Sequence, residues 1–248
     1  MKYFLISALV AMSTIGYAQH ALTGAMSYQT TVRMTEGQSQ SWKTTLLFRG
    51  NESLVEEEQK GKPTQKVAGN SFIYPKLSQS VLHYKNTSTK QLISRVPAEV
   101  EMVIVDDTLK PISWKVYADT KKIGQFTCQK ATGIVKGRTY TAWFTPSIAV
   151  STGPWKFHGL PGLILEAEDN TGEVTFLFES LTIPAPVDAV IKAPEPIDKQ
   201  KRLSAAAYKK YVSQKFETLR KMLESQPTAD GVEIKVEIGK PYGIELDN

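Results

Sequence analysis

Short segments in which apolar and polar residues alternate at every second position recur along most of this chain, and they constrain its fold more than any other feature. Residues 26–34 alternate in this way, and so do residues 42–48. A period of two puts successive side chains on opposite faces of a strand. Arg49-Gly50-Asn51-Glu52 is a turn leading into a strand at 53–58. Further strands are predicted at 71–74, 80–84, 90–96, 100–105 and 112–117, with a polar loop at 59–64. Residues 125–135, 138–145, 163–168 and 173–183 read as the central, best-buried strands. Asp169-Asn170-Thr171-Gly172 joins the last two as a hairpin turn. Consecutive hairpins imply antiparallel pairing. Residues 232–238 supply a final alternating segment.

One helix breaks this pattern. Over residues 205–225, Tyr208, Val212, Phe216, Leu219 and Leu223 recur at three- and four-residue spacing and form one apolar stripe. Lys209, Lys210, Lys215, Arg220 and Lys221 occupy the remainder. Ser204 is placed to cap the helix, and Pro227 stops it. A basic amphipathic helix can also lie on a membrane surface. Here the stripe is expected on the sheet, because an open sheet needs cover. Residues 184–196, rich in Pro and Ala, form an extended connector. The fold expected is α+β and β-rich: a large, twisted, mostly antiparallel sheet, curved as a half-barrel, with one C-terminal helix packed on it.

The first 18 residues stand outside that fold. Lys2 precedes an apolar stretch at 3–12, and Gly16 and Ala18 put small residues at −3 and −1 before Gln19. That is the pattern of a cleaved secretory signal. The remaining residues, 19–248, are read as a single domain in the periplasm, secreted or at the cell surface. The apolar stretch is shorter than the roughly 20 residues a membrane span needs, so no transmembrane segment is expected after cleavage. The formal charge of +5 falls by one with Lys2. So small an excess gives no nucleic-acid footprint. Cys128 is the single cysteine, so no internal disulfide can form. Its alternation with Phe126 predicts a buried small hydrophobe.

Residues 153–164 read Gly-Pro-Trp-Lys-Phe-His-Gly-Leu-Pro-Gly-Leu-Ile. Gly159 and Gly162 permit positive φ or close backbone approach, and Pro161 fixes φ. Leu160, Leu163 and Ile164 are then free to enter a core. A structural corner is one reading; a loop that clamps a ligand through its backbone amides is the other.

Gly159-Leu160-Pro161-Gly162-Leu163-Ile164 spells the hexapeptide of the GLPGLI proteins, and the likeness extends further. Residues 122–131, Tyr140-Thr141-Ala142-Trp143-Phe144-Thr145-Pro146 and Phe157-His158 resemble that family's approach to the hexapeptide. The closing residues 240–246 resemble its terminal signature, although Gly243 departs from the expected Asn-Pro. The chain is therefore similar to secreted Bacteroidota proteins of unsettled function. The resemblance implies export and brings no catalytic residues, cofactor or metal.

Motifs for familiar chemistries are missing. There is no Gly-x-Ser-x-Gly elbow, His-Glu-x-x-His pair, phosphate-binding glycine loop or Rossmann fingerprint. His20, His83 and His158 are the three histidines. His83 has no second ligand at metal spacing, and His158 is the best candidate for a functional imidazole. Glu166 and Glu168 share a strand face at period two. Glu101 with Asp106-Asp107 reads as an acidic turn without the spacing of a calcium loop. The aromatic supply is the remaining resource. Trp143, Trp155, Phe157 and His158 are the candidate ligand-binding residues, and Trp42, Tyr74, Tyr84 and Trp114 extend such a surface.

Three functions follow as expectations. The first is a non-enzymatic carrier or binding protein for an apolar or amphipathic ligand held in the sheet's concavity. The second is an envelope interaction protein that docks on an outer-membrane or secreted partner. The least supported is a hydrolase or metal-dependent enzyme built on His158 and Glu166.

Overall fold

The computed structural model describes residues 21–33, 39–58, 65–67, 70–72, 79–98, 101–197 and 199–224. The predicted leader, the loop at 59–64, Tyr74, Pro227 and the segments at 232–238 and 240–246 lie outside them. In chain order the first strands are β1 (Thr23–Arg33), β2 (Ser39–Arg49), β3 (Glu52–Glu57), β4 (Gln65–Val67) and β5 (Asn70–Phe72). Next come β6 (Val81–Asn86), β7 (Gln91–Ala98), β8 (Glu101–Thr108), β9 (Lys115–Ile123) and β10 (Phe126–Val135). The rest are β11 (Arg138–Thr145), β12 (Leu163–Asp169), β13 (Val174–Thr182), β14 (Arg202–Ser204) and the helix α1 (Ala205–Glu224).

Among the described residues, twelve strands form one open sheet in the order β14-β8-β7-β6-β3-β2-β1-β13-β12-β11-β10-β9, and β4 pairs with β5 apart from it. Hairpins dominate, so neighbours are antiparallel; the short β14 runs parallel to β8. Six strand spacings separate β6 from β11, which is about 29 Å on a flat sheet. Yet Phe157 meets both strands. Its carbonyl accepts a hydrogen bond from Lys85 Nζ of β6 at 2.9 Å, and its ring stands edge-on to Tyr140 of β11, centroids 4.9 Å apart. The sheet is therefore curled, and its concave face closes round the segment that carries Phe157.

The alternation seen in sequence decides what enters that face. Met26, Tyr28 and Val32 of β1, Leu46 and Phe48 of β2 and Val55 of β3 join one core with Tyr140, Ala142 and Phe144 of β11. Removing this apolar surface from water is the main stabilising contribution. At the β8 end, Tyr208, Tyr211 and Val212 of α1 cover Val96, Ala98, Val103 and Val105. Ser204 Oγ accepts from the Ala207 amide at 3.3 Å, as its capping position requires. On the convex side, Ile191 and Ala193 of the connector pack on Tyr84, Ile93 and Ile104.

Several segments differ from the sequence expectation: β4 and β14 form where no strand is predicted. Asp106 and Asp107 continue β8 instead of turning the chain. The bidentate contacts of Arg202 with Asp106, both 2.8 Å, hold that carboxylate beside the short outer strand β14. The strand expected at 112–117 runs instead from Lys115 to Ile123. Trp114 leaves the ladder because its indole N–H donates to the His158 carbonyl at 2.8 Å. Among the described residues β9 is an edge strand and largely exposed, so its interior shows little of the apolar alternation that marks a half-buried strand.

Cys128 is fully buried, as its alternation predicts, and burial pushes its thiol up to about 11. It should resist iodoacetamide in the native protein at pH 8 and react on unfolding. Rapid native labelling, followed by peptide mapping, would contradict that placement.

Candidate functional site

The chain between β11 and β12 occupies the part of the concave face in front of β11 and the central strands. Ile148, Val150, Trp155, Phe157 and Leu160 are all core residues. The Phe157 ring also stands edge-on to Trp155 and Phe176, each with centroids 5.6 Å apart. Polar contacts fix the segment across distant strands. Ser53 and Thr152 hydroxyls are 2.9 Å apart, and Tyr28 donates to the Ile164 carbonyl at 2.7 Å. Lys85 Nζ donates to the carbonyls of Gly153 at 2.7 Å and Phe157 at 2.9 Å. Gly159 adopts φ +91°. A Cβ on Gly162 would lie 2.2 Å from the Thr145 carbonyl oxygen. The hexapeptide thus forms a corner that lets the backbone press onto the end of β11 and start β12.

The predicted ligand-binding residues do not form one surface. Trp155 and Phe157 are buried in the core. Trp143 pairs with Glu166 on the convex face, where Lys121 Nζ lies 2.6 Å from the Glu166 carboxylate. His158 is half-buried, and its Nδ1–H donates to the Lys156 carbonyl at 3.0 Å. Burial, with the nearby Lys85 charge, holds this imidazole below its usual range. Glu166 therefore serves a different face from His158, and Glu168 beside it is exposed.

Two features escaped the sequence. The first is Lys85, fully buried, whose amine desolvation pushes down to about 7. The second is a row of buried polar residues on the concave face. His83 and Ser94 are cross-strand partners, with Nδ1 and Oγ 2.8 Å apart. His83 Nε2 lies 3.6 Å from the Glu57 carboxylate. Glu57 pairs with Thr44, whose hydroxyl is 2.6 Å from that of Thr30. Trp42, two residues before Thr44, has a buried indole N–H with no hydrogen-bond partner among the described residues. The row lies between the filling segment, which reaches Ser53 and Lys85, and α1, which covers Val96 and Val105. A period of two puts His83 and Lys85 on one face of a strand, but no sequence signal reveals which strands pair.

Serine, imidazole and carboxylate in this order are the parts of an activated nucleophile. The three sit mid-sheet, where the ladders engage the backbone amides, so these strands present no pair of free N–H groups to a developing oxyanion. The row is better suited to holding a polar group than to acyl transfer.

The chain resembles several known proteins in part. A family model described as "Protein of unknown function (Porph_ging)" matches residues 134–166, a span that contains the corner. No curated protein matches the chain. Among solved structures, PNGF-II in a P21 crystal form is similar at a TM-score of 0.53 and 19% identity, over 78% of this chain and 34% of that one. Its C2 form gives 0.51 and 18%, over 78% and 33%. The chain thus spans about a third of the PNGF-II chains it matches, and at this identity the likeness defines a shared fold alone. The LolA superfamily protein NE2245 from Nitrosomonas europaea overlaps at a TM-score of only 0.27 and 10% identity, over 64% of this chain and 84% of that one.

Proposed function

We propose that this chain is a non-enzymatic binding or carrier protein of the cell envelope, which takes an apolar or amphipathic ligand on the concave face of its sheet. The observation that carries this reading is the buried indole N–H of Trp42, which meets no acceptor among the described residues and lies beside the buried polar row. A buried donor without an acceptor is costly, by about 1–3 kcal/mol, and a ligand head group with an acceptor oxygen would relieve that cost. Trp155 and Phe157 form the packed part of the same face, so the ligand body would lie beside them, over β2, β3 and β6. The hexapeptide within residues 134–166 supports membership of the GLPGLI proteins. The N-terminal 18 residues support export, to the periplasm or the cell surface.

Native mass spectrometry of the chain, purified under mild conditions from a periplasm, tests the carrier reading. A discrete bound mass released on denaturation is expected, and Trp42→Phe, which keeps the ring and loses the donor, should lower its occupancy. A bare chain mass, together with no uptake of a fluorescent fatty acid, would defeat this reading.

A second reading has its own support in the exposed ammonium groups of Lys209, Lys210 and Lys221 on α1. They suit docking on an acidic envelope partner. Charge reversal at Lys209 and Lys210 should then abolish recovery of that partner, and unchanged recovery would count against it.

A further inference from the structure

The convex face of β9, β10 and β11 carries two aromatic rings attended by ammonium groups. Tyr117 is held at its tip by a 3.1 Å contact between its hydroxyl and that of Thr132. The Gln129 side-chain amide donates to the Tyr117 carbonyl at 2.8 Å. Lys115 and Lys130 Nζ lie 5.1 and 5.6 Å from the centre of that ring. Trp143 pairs with Lys130 across β10 and β11. Lys121 Nζ stands 4.6 Å from the Trp143 ring, fixed there by Glu166. Tyr117 and Trp143 are thus two strands apart, about 10 Å, and neither is buried.

We infer that this face is a docking surface for an acidic polysaccharide, independent of the concave face. Sugar rings present C–H surfaces that stack on Tyr117 and Trp143 at a spacing of about a disaccharide unit. Their carboxylate or sulfate groups then meet Lys115, Lys121 and Lys130. The lysines are already drawn over the rings by cation–π attraction, so charge and stacking platform are presented together. Glu166, and Glu168 on the same face, distinguish this ligand from a single-stranded nucleic acid. Their carboxylates accept hydrogen bonds from sugar hydroxyls, which a DNA backbone does not offer.

Isothermal titration calorimetry of the purified chain at low salt tests the inference with four probes. They are hexagalacturonate, a heparin hexasaccharide, neutral cellohexaose and an oligothymidylate of similar length. The chain should bind at least one acidic hexasaccharide, more tightly than cellohexaose or the oligothymidylate. Binding should weaken with added salt. Tyr117→Ala and Trp143→Ala should each weaken it by about tenfold or more, whereas Tyr117→Phe should keep most of it. Binding of one acidic probe alone upholds the inference and tells carboxylate from sulfate. No binding of either acidic probe, preference for cellohexaose or the oligothymidylate, or undiminished binding by both alanine variants would overturn it. Trp42→Phe, which tests the carrier reading, should leave this binding unchanged.

Discussion

Gly162→Ala should destabilise the protein by about 3 kcal/mol or more, close to the upper end of what overpacking costs. The added methyl would sit 2.2 Å from the Thr145 carbonyl oxygen and 3.0 Å from the Pro146 Cα. Both are backbone atoms, and backbone cannot swing aside as a flexible side chain does. Relief requires the start of β12 to lift off the end of β11. That movement would disturb Leu163, Ile164 and the hydrogen bond from Tyr28 to the Ile164 carbonyl. Gly172→Ala is the comparison: its φ is positive, at +68°, and the nearest atom to the new methyl is a Glu168 side-chain oxygen at 3.5 Å. It should cost only the backbone strain of about 1–2 kcal/mol. Urea unfolding with an unchanged m-value reads the difference. Equal midpoints for the two variants would contradict the close approach at Gly162.

Between pH 7 and pH 9 the protein should gain about 2 kcal/mol of stability through Lys85 alone. In the unfolded chain this amine titrates near 10.5, and in the fold at about 7. Across that interval the unfolded state binds more protons than the native one, so stability rises with pH. Below pH 7 both states are protonated, and the contribution is flat at its least favourable value. Cys128 works in the opposite direction. Its thiol ordinarily titrates near 9 and is pushed up to about 11 in the fold, so stability falls as pH rises beyond 9. His158, held below its usual 6.5, removes stability as pH drops below about 6.5. Lys85→Met should abolish the rise between pH 7 and pH 9. At pH 9, where the native amine is neutral, the variant should be less stable by about 1–3 kcal/mol, since the carbonyls of Gly153 and Phe157 lose their donor. Chemical unfolding of both proteins at pH 7, 8 and 9 provides the check. A flat wild-type profile, or the same slope in the variant, would sink the assignment.

Much of the architecture is legible in the amino-acid order because it depends on local rules. The period-two segments at 26–34, 42–48 and 138–145 become β1, β2 and β11, since alternation needs only a half-buried strand. The 205–225 stripe becomes α1 because Ser204 caps it and apolar residues recur each turn. Where the local signal weakens, so does the reading. β9 is an exposed edge with little alternation, and Asp106-Asp107 stays in a strand through a contact with Arg202, which lies 96 residues away.

By itself, the sequence determined a β-rich sheet with a C-terminal helix, a buried Cys128 and a tight corner at 159–164. These follow from periodicity, side-chain size and the backbone limits of Gly and Pro. Only the tertiary structure decided how the curled sheet uses its two faces. It buried Trp155 and Phe157, left Trp143 on the convex side, enclosed Lys85 and aligned Ser94, His83 and Glu57. Those placements depend on which strands pair and how far the sheet bends. Pairing and curvature are set by contacts between residues far apart in the chain, and neither periodicity nor composition encodes them.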